Sequence, residues 1–436
     1  MTRVIMAAIP VPGHVNPLRP IAAHLVAQGH EVVFVTGTTM RDAVEATGAT
    51  FHPLKGAANY DGRDVYRCFP HLTQAEPGVP QIEVYISEVL AGPMKDQHET
   101  IQDVLAQRPD TPTVAMHDLC FNGLWPVQLG APGITPVRVI GLGVMVLPVS
   151  SVDTAPFGMG MLPDATPSGH ERNRRLNAEV QEAFKAAQET TEELLRECGA
   201  TQIPPYYFDA QVLVPDQVLQ LSVPGMEYPR SDLPSSVSFM GAVVEEKNED
   251  APVPSWWDDV LNAEKVVFVS QGTVSNKDFS ELLRPTIDAL ADQDCLVVAT
   301  TGQRPIEELG PLPANVRATE YIPYSMLLPH VDVFVCNGGF GGVQQALGCG
   351  VPLVLAGETE EKKDSTAHAA WTGAAVNLAT GRPLTTDVRA AVLKVLGDDT
   401  FRTAARRLQS EYAEYDALRT ISNIVTELGV PATANR

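Results

Sequence analysis

Basic residues are scarce for a chain of this size: 31 Lys and Arg stand against 53 Asp and Glu among 436 residues, a formal net charge of −22. Such a surface repels polyphosphate backbones and anionic headgroups, and no Lys/Arg cluster relieves it, so neither nucleic acid nor a membrane is expected as a partner. The acidic residues are dispersed apart from short runs such as VVEEKNED, which read as solvated surface. Long apolar runs are missing as well. The longest, VIGLGVMVLPV, falls well short of the ~20 residues that a membrane helix needs. The opening MTRVIMAAIPVPGHVNP carries one Arg and an apolar run that breaks at Pro10, shorter than a secretory signal requires. The six cysteines (Cys68, Cys120, Cys198, Cys295, Cys336 and Cys349) form no C-x-x-C and no zinc-spaced pairing with His. Free thiols in a reducing, cytoplasmic setting are the expectation.

What is present points to an α/β protein. The length allows two domains of ordinary size, and 44% hydrophobic residues suits a globular chain. Two regions alternate short β-branched strands with helical patterns, the rhythm of parallel α/β layers. Residues 1–235 open with RVIMAAI, a turn, a helix from about Pro17 to Gln28 with Asn16 as its cap, then GHEVVFVTG, and later TPTVAMHD and PVRVIGLG. A Gly/Pro/Met-rich loop, TAPFGMGMLPD, precedes an amphipathic helix over about Arg172–Cys198. Residues 236–258 read as an interdomain linker, 259–415 as a second α/β domain, and 416–436 as a terminal helix able to cross back to the first.

Four segments can carry chemistry. VDVFVCNGGFGGVQQALGCGVP reads as strand, glycine-rich turn and helix, yet it satisfies neither G-x-G-x-x-G nor GK[ST]. Amides exposed at a helix N-terminus can bind an anion such as a diphosphate. A turn that only lets helix and strand pack closely fits the spacing equally well. His14, in the turn after the first strand, lies at the strand edge where open α/β sheets bind ligands, and a nearby helix N-terminus would favour its neutral form. Alone it reads more readily as a structural histidine that hydrogen-bonds within its own turn. Asp118 ends TPTVAMHD and can orient an imidazole or cap the next turn, whereas His117 faces the other way. SQGT and GETEEKKDS follow strands of the second region; Glu358, Glu360 and Glu361 either meet sugar hydroxyls or line a solvated loop. The only D-x-D, Asp292 to Asp294, precedes a strand in a surface loop and suggests no metal site.

In this order, GHVNPL, SQGT, YIPYSMLLPHVDVFVCNGGFGGVQQALGCGVPLVL and GETEEK resemble a family across almost the whole chain. It is that of inverting, nucleotide-sugar-dependent glycosyltransferases with the GT-B fold, two Rossmann-like domains facing a cleft, found in plant UDP-glycosyltransferases and bacterial macrolide glycosyltransferases. The resemblance implies that His14 is the catalytic base and Asp118 its partner. It places Tyr321 on the nucleobase, with Ile322 offering backbone contacts. It assigns Asn337, Gly338, Gly339, Gly341 and Gly342 to the diphosphate with Thr273, Gln345 to the ribose, and Glu361 and Lys362 to the donor sugar. Asn337 stands where many members have His, Gln345 where they have Glu, and Lys362 where they have Gln. These departures leave UDP and dTDP sugars both open.

The implied activity is transfer of a hexose, glucose from UDP-glucose foremost, to a hydroxyl of a small hydrophobic acceptor: an antibiotic, polyketide, macrolide or flavonoid. Neither metal nor resident cofactor is implied, the nucleotide sugar being a co-substrate. Phe157, Met159 and Met161 offer an adaptable apolar surface for the acceptor, or else a packed lid. A nucleotide-sugar 2-epimerase of the same architecture and an inactive sugar-nucleotide-binding partner are the alternatives. The protein is expected as a monomer or homodimer.

Overall fold

The computed structural model describes residues 2–76, 79–243, 252–273 and 276–428; positions 244–251 of the expected linker and 429–436 of the expected terminal helix lie outside the described residues. Seven strands form the first sheet: β1 (Arg3–Ala7), β2 (Glu31–Thr36), β3 (Thr50–Pro53), β4 (Thr113–Asp118), β5 (Arg138–Gly143), β6 (Gln217–Gln220) and β7 (Val237–Phe239). Their spatial order is 3-2-1-4-5-6-7 and every pairing is parallel. The second sheet contains β8 (Val266–Ser270), β9 (Leu296–Thr300), β10 (Val316–Thr319), β11 (Val333–Cys336), β12 (Leu353–Leu355) and β13 (Ala375–Asn377). It repeats the pattern as 10-9-8-11-12-13, again wholly parallel.

Parallel strands covered by helices on both faces need apolar side chains on both. In β1, Ile5 and Ala7 enter one cluster with Val33 and Val35, while Val4 and Met6 enter another with Val32 and Phe34. In β8, Val267 and Val269 face one layer and Val266 and Phe268 the opposite one, where Phe268 stacks on Phe334 of β11 at 4.5 Å. Each sheet reverses its winding between its first strand and its fourth, at β1/β4 and at β8/β11. Loops leaving the carboxyl ends of those strands diverge there and open a crevice.

Three sequence expectations change. The helical path after β1 begins at Pro12 rather than Pro17: Pro12–Val15 is a helical turn, Asn16–Leu18 a tighter one, and Arg19–Ala27 the main helix. Asn16 therefore has helical backbone angles (φ −59°, ψ −42°) and closes the turn Pro12–Val15 in place of capping the main helix at its N-terminus. The helix expected over Arg172–Cys198 is two, Pro167–Ala183 and Lys185–Glu197, broken at Phe184, which buries its ring against Phe208. Strand β7 lies inside the segment expected as linker and pairs with β6 of the first sheet. At the other end, the helix Ala417–Leu428 packs on the first domain, placing Ile421 and Val425 in the cluster of Ile21 and Leu25. Among the described residues no helix is long and apolar enough to cross a membrane.

Candidate active site

The β1/β4 crevice brings His14 and Asp118 together. Nδ1 of His14 lies 2.9 Å from Oδ1 of Asp118, whose side chain is fully buried. The same carboxylate accepts the N–H of Cys120 on Oδ1 and that of Ile9 on Oδ2, both at 2.9 Å. Capping the turn and orienting the imidazole, opposed readings in sequence, are thus done at once. A carboxylate that accepts three hydrogen bonds is held rigidly, and it places the ring's proton on Nδ1, leaving the lone pair of a neutral His14 on Nε2.

Electrostatics at His14 depart from the sequence argument. Burial disfavours its imidazolium, but the charge and hydrogen bond of Asp118, then the charges of Glu361 and Glu360, outweigh burial and raise its pKa. The helix N-terminus expected to keep the ring neutral does not dominate, because His14 sits inside the first helical turn beside a buried carboxylate. Glu360 and Glu361 belong to the second domain, so their charges bear on His14 from across the domain boundary. His117 is buried, with Nδ1 2.8 Å from the carbonyl of Asp118, and burial lowers its pKa.

The second crevice is built around β11. Asn337 donates from Nδ2 to the carbonyl of Gln271 at 2.6 Å, so one of its two amide hydrogens ties the loop after β11 to the loop after β8. Gly338 has φ +78°, and an added Cβ would overlap Thr366; its carbonyl accepts the hydroxyl of Ser365. Close packing at that glycine is real. Beyond it the helix Phe340–Gly348 begins, with Gly339 as N-cap, and an added Cβ at Gly341 would meet nothing within 4 Å. The two readings of the motif therefore divide by residue: Gly338 serves packing, while Gly341 leaves open space before amides that no intrahelical carbonyl satisfies. Gln345 is half-buried one turn further along, and its neighbour Gln344 is the buried one, bonded to Ser222 and Tyr412.

The remaining expected residues are more scattered. Tyr321 is half-exposed just after β10, with Ile322 buried beside it. Thr273 is exposed, and positions 274 and 275 lie outside the described residues. Glu361 is half-buried at the start of the helix Lys362–Trp371. Lys362, which the resemblance assigns to the donor sugar, is only 4% exposed and pairs with Glu360, whose backbone takes φ +57°. Phe157 packs on Phe208 at 5.1 Å, Met159 is exposed and Met161 half-buried. Two residues missed in sequence belong here. Tyr60 and Tyr85 are enclosed near the charges of Asp118, Glu360 and Glu361, and burial pushes both phenols well above their usual pKa, so both stay neutral. Among the described residues the buried Tyr60 hydroxyl has no hydrogen-bond partner. Tyr85 opens a π-helical segment, Tyr85–Ala91, a distortion that pattern reading does not detect.

His14, Asp118 and Cys120 each place a ligand atom within 4.8 Å of the others, a spacing that a metal can use. The donor set is poor for that purpose. Burial pushes the Cys120 thiol well up, away from the thiolate that a metal needs, and the Asp118 oxygens are already committed. Asp292 of the D-x-D pairs with Arg389 at 3.0 Å on the surface.

Two Rossmann-like domains, each with a parallel sheet whose winding reverses at its centre, make up the GT-B fold. The comparisons with known proteins agree. Residues 284–428 match the family described as erythromycin biosynthesis protein CIII-like, C-terminal domain. UDP-glycosyltransferase 2 of Phaeomoniella chlamydospora is 41% identical over 98% of this chain and 95% of its own. The 4'-demethylrebeccamycin synthase of Lentzea aerocolonigenes is 40% identical over 95% of this chain and 97% of its own. A crystal structure of the glycotransferase of kitacinnamycin superposes with a TM-score of 0.74 at 20% identity, covering 98% of this chain and 99% of that one. The chain belongs to the UDP-glycosyltransferase family, and it is a glycosyltransferase.

Proposed function

We propose that the protein transfers glucose from UDP-glucose, with inversion, to a hydroxyl of a small hydrophobic natural product of phenolic or polyketide type. The observation that carries this reading is the 2.9 Å contact between His14 and buried Asp118 at the β1/β4 switch point, under the influence of Glu360 and Glu361 from the facing domain. His14 Nε2 removes the acceptor proton as that oxygen attacks the anomeric carbon from the side opposite the diphosphate. Asp118 stabilises the imidazolium that forms. The C–O bond to the diphosphate breaks as the new one forms, and the departing charge meets the free amides at the start of Phe340–Gly348. Glu361 and Lys362 hold the donor sugar, Tyr321 and Ile322 the base, Gln345 the ribose, and Thr273 with Asn337, Gly338, Gly339, Gly341 and Gly342 the diphosphate. Phe157, Met159 and Met161 line the acceptor side. No metal or resident cofactor takes part, since neutral donors and a helix dipole meet the leaving group.

The name of a relative supports the donor class: a UDP-glucosyltransferase of Aspergillus versicolor is 36% identical over 95% of this chain. The test is a mass-spectrometric screen of UDP- and dTDP-sugars against phenolic and polyketide alcohols, with EDTA and donor-alone controls. A glucoside formed from UDP-glucose, undiminished by EDTA and of inverted anomeric configuration by NMR, is expected. Conversion of donor without acceptor would instead mark an epimerase, and loss of activity restored by Mg²⁺ would overturn the metal-free mechanism.

A further inference from the structure

Asp364 lies three residues beyond Glu361, on the helix Lys362–Trp371, and is 5% exposed. Its Oδ2 accepts the N–H of Gly158 at 2.6 Å and its Oδ1 that of Gly160 at 3.0 Å, both from the first domain's loop. Gly158 (φ +93°) and Gly160 (φ +60°) adopt backbone conformations that L side chains rarely take, which lets two amides of one loop converge on one carboxylate. The approach is close: a Cβ on Gly160 would stand 2.8 Å from the carbonyl of Lys363. In sequence this segment reads as a Gly/Pro/Met-rich loop, and its partner is some two hundred positions away.

The same helix also touches the donor side. Ser365, adjacent to Asp364, bonds the carbonyl of Gly338 in the glycine-rich loop. One turn on, His368 stacks on Tyr228 of the first domain with centroids 3.6 Å apart. A single helical turn thus carries the glycine-rich loop on one residue and the Phe157–Met161 loop on the next. Adhesion between domains would be served at lower cost by apolar contacts, because a buried carboxylate must be matched by directed donors. Here the donors are loop amides, so what the carboxylate adds is position.

We propose that Asp364 is a positioning residue, a latch that fixes the Phe157–Met161 loop on the donor-side helix. It thereby holds the acceptor's apolar wall at a set distance from the donor sugar. The consequence for acceptor binding rests on the function proposed above; the latch itself does not. The test uses the full chain with Asp364→Asn and Gly160→Ala, which disturb the contact from opposite sides. Hydrogen exchange of residues 153–164 is expected to rise by ~10-fold or more in each variant, with calorimetric affinity for UDP unchanged. With UDP-glucose and quercetin as probes, acceptor KM rises by ~10-fold while kcat at saturation holds, and the double variant is no worse than either single one. Unchanged exchange in the loop would overturn the latch. So would a fall in UDP affinity that parallels the rise in KM, which would mark a general structural role. If the wild type turns over no acceptor, the transferase assignment of this loop fails, and the exchange measurement still decides the latch.

Discussion

His14 shows how far a single residue type carries meaning. As one histidine in a turn it reads more readily for structure than for catalysis, and the pairing with Asp118 is what supports the catalytic proposal. The pairing has a pH consequence. A raised His14 pKa means that the proposed base is protonated at higher pH than an ordinary histidine, whose value is ~6.5. Activity should therefore fall with decreasing pH on a limb whose midpoint lies above that value. Asp118→Asn removes the charge that raises it, so the limb should move to lower pH while kcat drops ~10²-fold or more through loss of ring orientation. A pH–rate profile of both proteins checks this; an unmoved limb would detach Asp118 from the base. Lys362 teaches the converse, since its burial follows from pairing with Glu360, which a charge run in the sequence does not reveal.

At the scale of elements, strands were the most legible. Unbroken apolar runs such as VVFV and VFVC announce strands covered on both faces, and their alternation with helices points to parallel sheets. Helix limits were less legible where tertiary contacts decide them: Phe184 interrupts a helical pattern in order to bury its ring, and Pro12 starts a turn that the Asn16 signal placed later. The glycine-rich turn after β11 was ambiguous for a physical reason, because glycine serves backbone strain and ligand approach alike. The structure separates them, and substitution can too. Gly338→Ala should cost ~1 to 3 kcal/mol of stability, since its positive φ and contact with Thr366 leave no room. Gly341→Ala should not destabilise, having open space and a helical position, yet its methyl group should weaken UDP binding. Chemical denaturation and UDP calorimetry on the two variants would refute the division if both lost stability equally.

For the whole molecule, the two domains depend on each other in ways that no local pattern states. Ser222 meets Gln344, Gly225 N–H meets Glu411, and Lys277 pairs with Asp64 across the domain boundary. The terminal helix joins the core of the first domain, so Ile421→Ala should cost ~2 to 5 kcal/mol and be felt by the N-terminal domain. Domain-resolved hydrogen exchange would show it: faster exchange in β1 and β2 is expected, and a loss confined to the second domain would contradict the packing. The net negative charge, for its part, carries no fold information.

The central claim is that the His14 imidazole, oriented by Asp118, is the base of a sugar transfer whose donor sits on the other domain. Steady-state turnover of His14→Ala, measured beside its calorimetric titration with UDP, tests it most directly. The account predicts transfer lowered by ~10² to 10⁴ with UDP affinity nearly intact. Unchanged turnover, or turnover and UDP affinity lost together, would contradict it.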